Sequence, residues 1–364
     1  MKSDKAIIRN HILKIPAYES IVPYEVLSDE LDIPIEKIVK LDANENPYGP
    51  IPEVYAALSN LPYVNIYPDP ESRYLRDSLS EYHKIPAEKI LAGAGVDELI
   101  DLVMRAILDP GDVMINCPPT FGMYAFDGGV NDANIISIPR NSQFEIDMTG
   151  IEEAVMKHKP KLLFLASPNN PDGGLLPREL LLDLLKLPLF VVLDEAYIDF
   201  ASPGSSMVQQ SIQNQNLAVL RTFSKWAGLA GLRIGYGIFP NELITHLWKI
   251  KQPYNVSVAA STAAIVSLQN LHKLKGNRDR IVSERARLSA FLKGIPWLVP
   301  YPSQTNFILC KIVGRNALDV KNKLAKQGIL IRHFQKPGLN DHIRISIGKP
   351  ADTDILINQL KNLE

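Results

Sequence analysis

Short runs of β-branched and leucine-rich residues recur between stretches with helical spacing: KILAG, VMINC, ANIISI, KLLFLAS, LFVVLD, LAVLRTFS and RIGYGIF. That alternation predicts an α/β fold with a mostly parallel, seven-stranded sheet covered by helices. One helix is marked at both ends. Leu99, Leu102, Val103, Ala106 and Ile107 recur at helical spacing directly after Gly93-Ala94-Gly95, and Asp109-Pro110-Gly111 stops the run.

From about residue 271 the pattern changes to a long charged helix, RDRIVSERARLSAFLKG, followed by strands near NFILCKI and HIRISIG. This predicts a smaller C-terminal α/β domain over 271–364 and a larger domain over 31–270. Residues 1–30, irregular and carrying Pro and Tyr, are expected to form an arm that packs with the small domain across the junction. A chain of 364 residues has room for two such domains.

Composition narrows the function. Hydrophobic residues at 46% and charged residues at 22% describe an ordinary globular chain, and Lys+Arg 39 against Asp+Glu 40 leaves no basic excess for nucleic acid or anionic lipid. Cys117 and Cys310 are too few for a disulfide framework, which suits a reducing compartment. The N-terminus lacks the continuous apolar stretch of a secretory signal, and LLLDLLKLPLFVVL is broken by Asp183, Lys186 and Pro188. A cytoplasmic enzyme outside the membrane is expected.

In an open α/β sheet, ligands gather beyond the carboxyl ends of the strands, and here those ends are polar. KLLFLAS leads into Pro168-Asn169-Asn170-Pro171-Asp172-Gly173, LFVVL into Asp194-Glu195-Ala196-Tyr197, and LAVLRTF into Ser224-Lys225. Asp194 closes an apolar strand, where an unpaired carboxylate is costly to bury, so it calls for a cation such as a pyridinium nitrogen. An Asp capping the next turn is the plainer reading, and a Walker-B-like Asp-Glu finds no G-x-x-x-x-G-K-[ST] loop to accompany it. Lys225 sits among Thr222, Ser224 and Arg233, the equipment for an anionic phosphate beside a Schiff-base lysine. The helix opening at Gly95-Val96-Asp97 offers backbone N–H groups to the same phosphate.

These residues resemble the fold-type-I pyridoxal-phosphate aminotransferases over nearly the whole chain. The resemblance is carried by LDANENPYGP (41–50), YPDPESRYLRDSL (67–79), GAGVDELIDL (93–102), CPPTFGMY (117–124), SPNNPDGG (167–174), VVLDEAYIDF (191–200) and RTFSKWAGLAGLRIGYG (221–237). KQPYNVSV (251–258), SQTNFILC (303–310) and HIRISIG (342–348) extend it, and LDANENPYGP with QPYNVSV is similar to the family's histidinol-phosphate branch.

The resemblance implies pyridoxal 5'-phosphate as cofactor and no metal. It makes Lys225 the Schiff-base lysine and proton shuttle between the alpha carbon and the cofactor's C4' carbon, with Asp194 on the pyridine nitrogen. Asn170 and Tyr197 would hydrogen-bond the phenolate oxygen, lowering the imine pKa, and Tyr124 would stack on the ring. The Val96 and Asp97 backbone, Ser224, Arg233 and a partner subunit's Tyr67 would hold the phosphate, which implies a homodimer. Arg332 and Arg344 would bind the anionic end of the substrate, with Tyr18 and Asn46 lining the pocket. The reaction implied is amino transfer from L-histidinol phosphate to 2-oxoglutarate, giving imidazole-acetol phosphate and glutamate in histidine biosynthesis. An aromatic amino acid aminotransferase, a threonine-phosphate decarboxylase-like enzyme and the effector domain of a transcription regulator are the rivals. The chain departs from many relatives at Asp172 and Trp226, neither of which removes a catalytic atom. His333, beside Arg332, reads as a structural histidine.

Overall fold

All seven apolar runs become strands of one sheet. The computed structural model describes residues 7–17 and 22–363. The strands are β2 (Ile90–Gly93), β3 (Val113–Asn116), β4 (Asn134–Ser137), β5 (Leu162–Ala166), β6 (Phe190–Asp194), β7 (Leu217–Thr222) and β8 (Gly235–Ile238), with β1 (Val39–Leu41) lying elsewhere. Their order is β2-β8-β7-β6-β5-β3-β4, and only β8 runs antiparallel to its neighbours.

The central strands are buried on both faces, which is why they read as continuous apolar runs. Leu163, Leu165, Val191, Leu193, Leu217 and Val219 enter one core. Their alternates Leu162, Phe164, Val192, Ala218 and Leu220 enter the other, which is closed by the helix Val96–Ile107 through Leu99, Leu102 and Val103. Each fully buried Leu of that helix contributes about 1.5–3 kcal/mol of transfer free energy, so the helix's first turn is anchored to the sheet.

A second sheet, in the order β1-β11-β12-β10-β9, is built from β9 (Leu298–Pro300), β10 (Phe307–Ile312), β11 (Ile329–His333), β12 (His342–Ser346) and β1. β1 pairs in parallel with β11 through Val39↔Ile329 and Leu41↔Ile331. Three residues from before the large sheet therefore belong to the smaller one, and the chain passes from β1 directly into LDANENPYGP at the junction. The long helix Leu271–Leu292 buries Leu274, Ile281, Leu288 and Leu292 on one face, together with Glu284, whose carboxylate pairs with Arg287.

The N-terminal 30 residues are not irregular throughout. Tyr24–Leu31 forms a helix, entered from extended Pro23 and closed by Asp32 in the left-handed region at φ 52°. The proline's fixed φ and the aspartate's tolerance of that region explain both ends. No helix among the described residues is long and apolar enough to cross a membrane.

Candidate active site

Register alone brings the polar strand ends together. Ala166 lies opposite Asp194, Asp194 opposite Leu220, and Gly235 opposite both Thr222 and Gly93. One cleft beyond these ends is lined by Val96, Asp97, Phe121, Tyr124, Asn170, Asp194, Tyr197, Thr222, Ser224, Lys225 and Arg233, with Ala166, Ala196 and Ala230 between them.

Asp194 forms the floor. It is 5% exposed, and its Oδ2 accepts from the Tyr124 hydroxyl at 2.8 Å while Oδ1 accepts from the Ala196 amide at 2.9 Å. Burial lifts its carboxyl from the ordinary 3.8 to about 6, although the Tyr124 hydroxyl, the Ala196 amide and the Lys225 charge all act to lower it. A carboxylate held so expensively is stabilised by any cation placed above it.

The opposite end gathers donors. Gly95 precedes the helix Val96–Ile107 at φ 87°, and a Cβ there would stand 2.5 Å from Arg233 Nη2. Glycine is therefore required both for the turn and for the approach of the guanidinium. Arg233 Nη2 donates to Asp97 Oδ2 at 2.7 Å, and the Thr222 hydroxyl donates to Ser224 Oγ at 2.9 Å. Helix N-terminus, hydroxyls and guanidinium together form an anion cradle.

Between the two ends stands Lys225. Its Nζ donates to the Ala43 carbonyl at 3.4 Å and lies 6.0 Å from the centre of the Tyr197 ring. The loop 42–50 reaches it because Gly228, at φ +72°, presses on Gly49, where a Cβ would come within 2.5 Å of the Gly49 carbonyl carbon. Tyr197 Oη accepts from Asn44 Nδ2 at 3.1 Å, which leaves the tyrosine's own proton to be donated. Asn170 Oδ1 accepts from Arg344 Nη1 at 2.6 Å, which leaves its Nδ2 to donate.

Two of the expected residues sit differently in the fold. Tyr124 has no exposed surface: its ring stacks on Phe164, 5.1 Å between centres, and its hydroxyl is given to Asp194, so it lies beneath the carboxylate with no face for stacking on a ligand. Phe121, edge-on to Tyr124 and part-exposed in the cleft, has such a face. Asn46 does not line the cleft; its amide is committed to the Trp226 carbonyl at 2.9 Å and the Tyr48 amide at 3.0 Å, and it braces the loop. Asn44, buried and at φ 55°, reaches Tyr197 instead. Only its neighbourhood in LDANENP could have pointed to it.

Arg344 is buried, and its Nη2 also donates to the Asp42 carbonyl at 2.7 Å. Arg332 lies opposite it in the sheet, and both guanidiniums sit over the Phe334 ring. His333 Nε2 pairs with the Asn340 carbonyl at 3.0 Å. Tyr67 is outside the cleft, 77% exposed and stacked on Tyr254 at 4.5 Å. Tyr18 lies outside the described residues. Asp172 is turned inward, accepting from Asn169 Nδ2 and from the Gly174 amide, and shapes the loop 167–174. Trp226 packs between Phe223 and Tyr82, away from the chemistry.

The model of the family "Aminotransferase class I and II" matches residues 36–360. A chloroplastic histidinol-phosphate aminotransferase of Nicotiana plumbaginifolia is 53% identical over 358 residues, covering 98% of this chain and 86% of the relative. The histidinol-phosphate aminotransferase of Roseiflexus castenholzii is 50% identical over 365 residues, covering 98% of each. The chain belongs to the histidinol-phosphate aminotransferase family. The solved histidinol-phosphate aminotransferase of Sinorhizobium meliloti, in complex with pyridoxal-5'-phosphate, superposes with a TM-score of 0.90 at 27% identity over the full length of both chains. The fold is thus that of the pyridoxal-phosphate aminotransferases, and the cleft described above is the candidate active site of an aminotransferase.

Proposed function

We propose that this chain transfers the amino group of L-histidinol phosphate to 2-oxoglutarate, giving imidazole-acetol phosphate and glutamate, with pyridoxal 5'-phosphate in the cleft. The observation that carries the reading is the placement of Lys225 between a buried carboxylate, Asp194, and the donor cradle of Ser224, Arg233 and the helix N-terminus. A ring with a cationic nitrogen at one end and a phosphate at the other matches that polarity. The lifted pKa of Asp194 and the glycine cradle at Gly95 both fit such a ligand.

When bound, pyridoxal phosphate supplies an electron sink that makes the substrate's alpha proton acidic. The residues do the rest. Asp194, ionised, keeps a proton on the ring nitrogen, and Tyr124 beneath it favours that ionised form. Tyr197 Oη and Asn170 Nδ2 donate to the phenolate oxygen, each freed for it by its own partner, Asn44 or Arg344. Phe121 covers a ring face. Lys225 Nζ takes the alpha proton and returns it at the C4' carbon. Arg344 and Arg332 present guanidiniums to the carboxylate or phosphate of the substrates. An amino donor and an amino acceptor using one site in turn give ping-pong kinetics.

A second copy of the chain completes the site in this reading. Tyr63, Val64, Ile66, Tyr67 and Tyr74 expose more than half of their surface along one stretch, an apolar patch of the kind that marks an interface. Tyr67 on that patch would reach the partner's cofactor phosphate. Two free, buried cysteines suit the cytosol. Relatives at 50–53% identity favour histidinol phosphate over the aromatic amino acid and decarboxylase alternatives. Comparing turnover of histidinol phosphate and phenylalanine with 2-oxoglutarate tests it: preference for histidinol phosphate is expected, and preference for phenylalanine, or carbon dioxide release without a keto acid, would overturn it.

A further inference from the structure

The turn that opens the anion cradle is held from outside the cleft. Glu98, on the first turn of the helix Val96–Ile107, reaches back so that its Oε2 accepts from the Ala94 amide at 2.5 Å. This is not a capping box, in which an N3 carboxylate takes the N-cap amide: the N-cap is Gly95, whose amide donates to the Gly93 carbonyl at 2.8 Å, and Glu98 holds the residue before it. The same Oε2 accepts from Asn255 Nδ2 at 2.9 Å, and that amide also donates to the Ala92 carbonyl at 3.1 Å. Asn255 Oδ1 in turn accepts from Lys251 Nζ at 3.1 Å, and the same amine donates to the Gln252 carbonyl at 2.8 Å.

We infer that Glu98 and Asn255 are positioning residues for the cofactor phosphate. They act on residues 92–95 from the side away from the ligand and fix the direction in which the following amides of Val96 and Asp97 point. The first amides of a helix have no partner inside it, so their aim is set by the turn before them. The turn has little rigidity of its own: Gly93 and Gly95 flank Ala94, and glycine loses more conformational freedom on ordering than any other residue. A carboxylate one turn from an anion site would repel the phosphate if left bare. Here two donors and the nearby Lys251 charge offset it, and Lys251 feels Glu98 as an attraction. Asn255 follows Tyr254, whose ring carries Tyr67, so one short loop braces the cradle and presents the exposed pair.

This inference rests on the reading that the cradle holds the phosphate. The test is titration of the cofactor-free full-length protein with pyridoxal phosphate and, separately, with pyridoxal, which lacks the phosphate. Wild type is expected to prefer pyridoxal phosphate strongly; absence of that preference would refute the phosphate site itself. Glu98→Ala and Asn255→Ala are each expected to weaken pyridoxal phosphate binding by about tenfold or more, the worth of a hydrogen bond to a charged group, and to leave pyridoxal binding where it was. Glu98→Gln, whose amide oxygen can still accept from Ala94, is expected to recover much of the loss. Wild-type preference retained in both alanine variants, or an equal loss for pyridoxal and its phosphate, would overturn the positioning role while leaving the phosphate site standing.

Discussion

The Tyr124 hydroxyl donates to Asp194 Oδ2 at 2.8 Å in a site where neither side chain has appreciable exposure. The tyrosine thereby favours the charged state of a carboxyl that burial drives the other way, to about 6. The sign of the linkage follows. Asp194 has a raised pKa in the folded protein, so its contribution to stability is present below its ordinary 3.8 and lost as pH rises through about 6. In the cofactor-free protein Asp194→Asn is expected to be more stable than wild type at pH 7.5, by up to ~3 kcal/mol, with the advantage shrinking at pH 5. It should at the same time bind pyridoxal phosphate far more weakly. Melting curves at the two pH values check this. Tyr124→Phe removes a donor to the carboxylate, so the acid limb of cofactor binding should move to higher pH; an unmoved limb would mean that the hydroxyl does not tune Asp194.

Arg344 donates to Asn170 Oδ1 and to the Asp42 carbonyl. A lysine can replace the charge but not the planar fork. Arg344→Lys is expected to raise KM for both substrates and to lower kcat/KM by about a hundredfold, the loss of one bidentate contact of ~3 kcal/mol. Steady-state kinetics with each substrate varied would show the effect. A loss confined to one half-reaction would assign the residue to one substrate.

Much of this was legible in the sequence, and the failures have physical causes. The seven strand runs could be read because strands buried on both faces leave uninterrupted apolar stretches, and the helix after Gly95 because its spacing and both of its ends were marked. β1 could not be read: three residues carry no period, and VKL pairs with a strand 290 positions away, Val39 with Ile329. Asp194 and Lys225 stood out because polar residues at apolar strand ends are costly. Tyr124 and Phe121 are both aromatic residues in one loop, and only burial separates them. Asn46 is expected to line the substrate pocket, and sequence does not say which of two nearby amides turns toward Tyr197; in the fold it is Asn44. Tyr67 leaves the cleft of its own chain altogether, so its use depends on a surface that one sequence cannot display.

Asp172 holds Asn169 and the Gly174 amide from a buried position. Asp172→Ala leaves those donors unmet and is expected to lower stability by about 1–3 kcal/mol. No reacting atom is lost, so the folded fraction should keep most of its kcat. Denaturant melts paired with kinetics on the folded variant would separate the two effects, and a collapse of kcat at unchanged stability would place the residue in the chemistry.

The account stands most directly on Lys225 as the residue that holds the cofactor. Borohydride reduction of the protein loaded with pyridoxal phosphate, followed by peptide mass spectrometry, should find the phosphopyridoxyl group on the peptide carrying Lys225, and Lys225→Ala should yield no labelled peptide. A label on another lysine, or labelling undiminished in the variant, would contradict it.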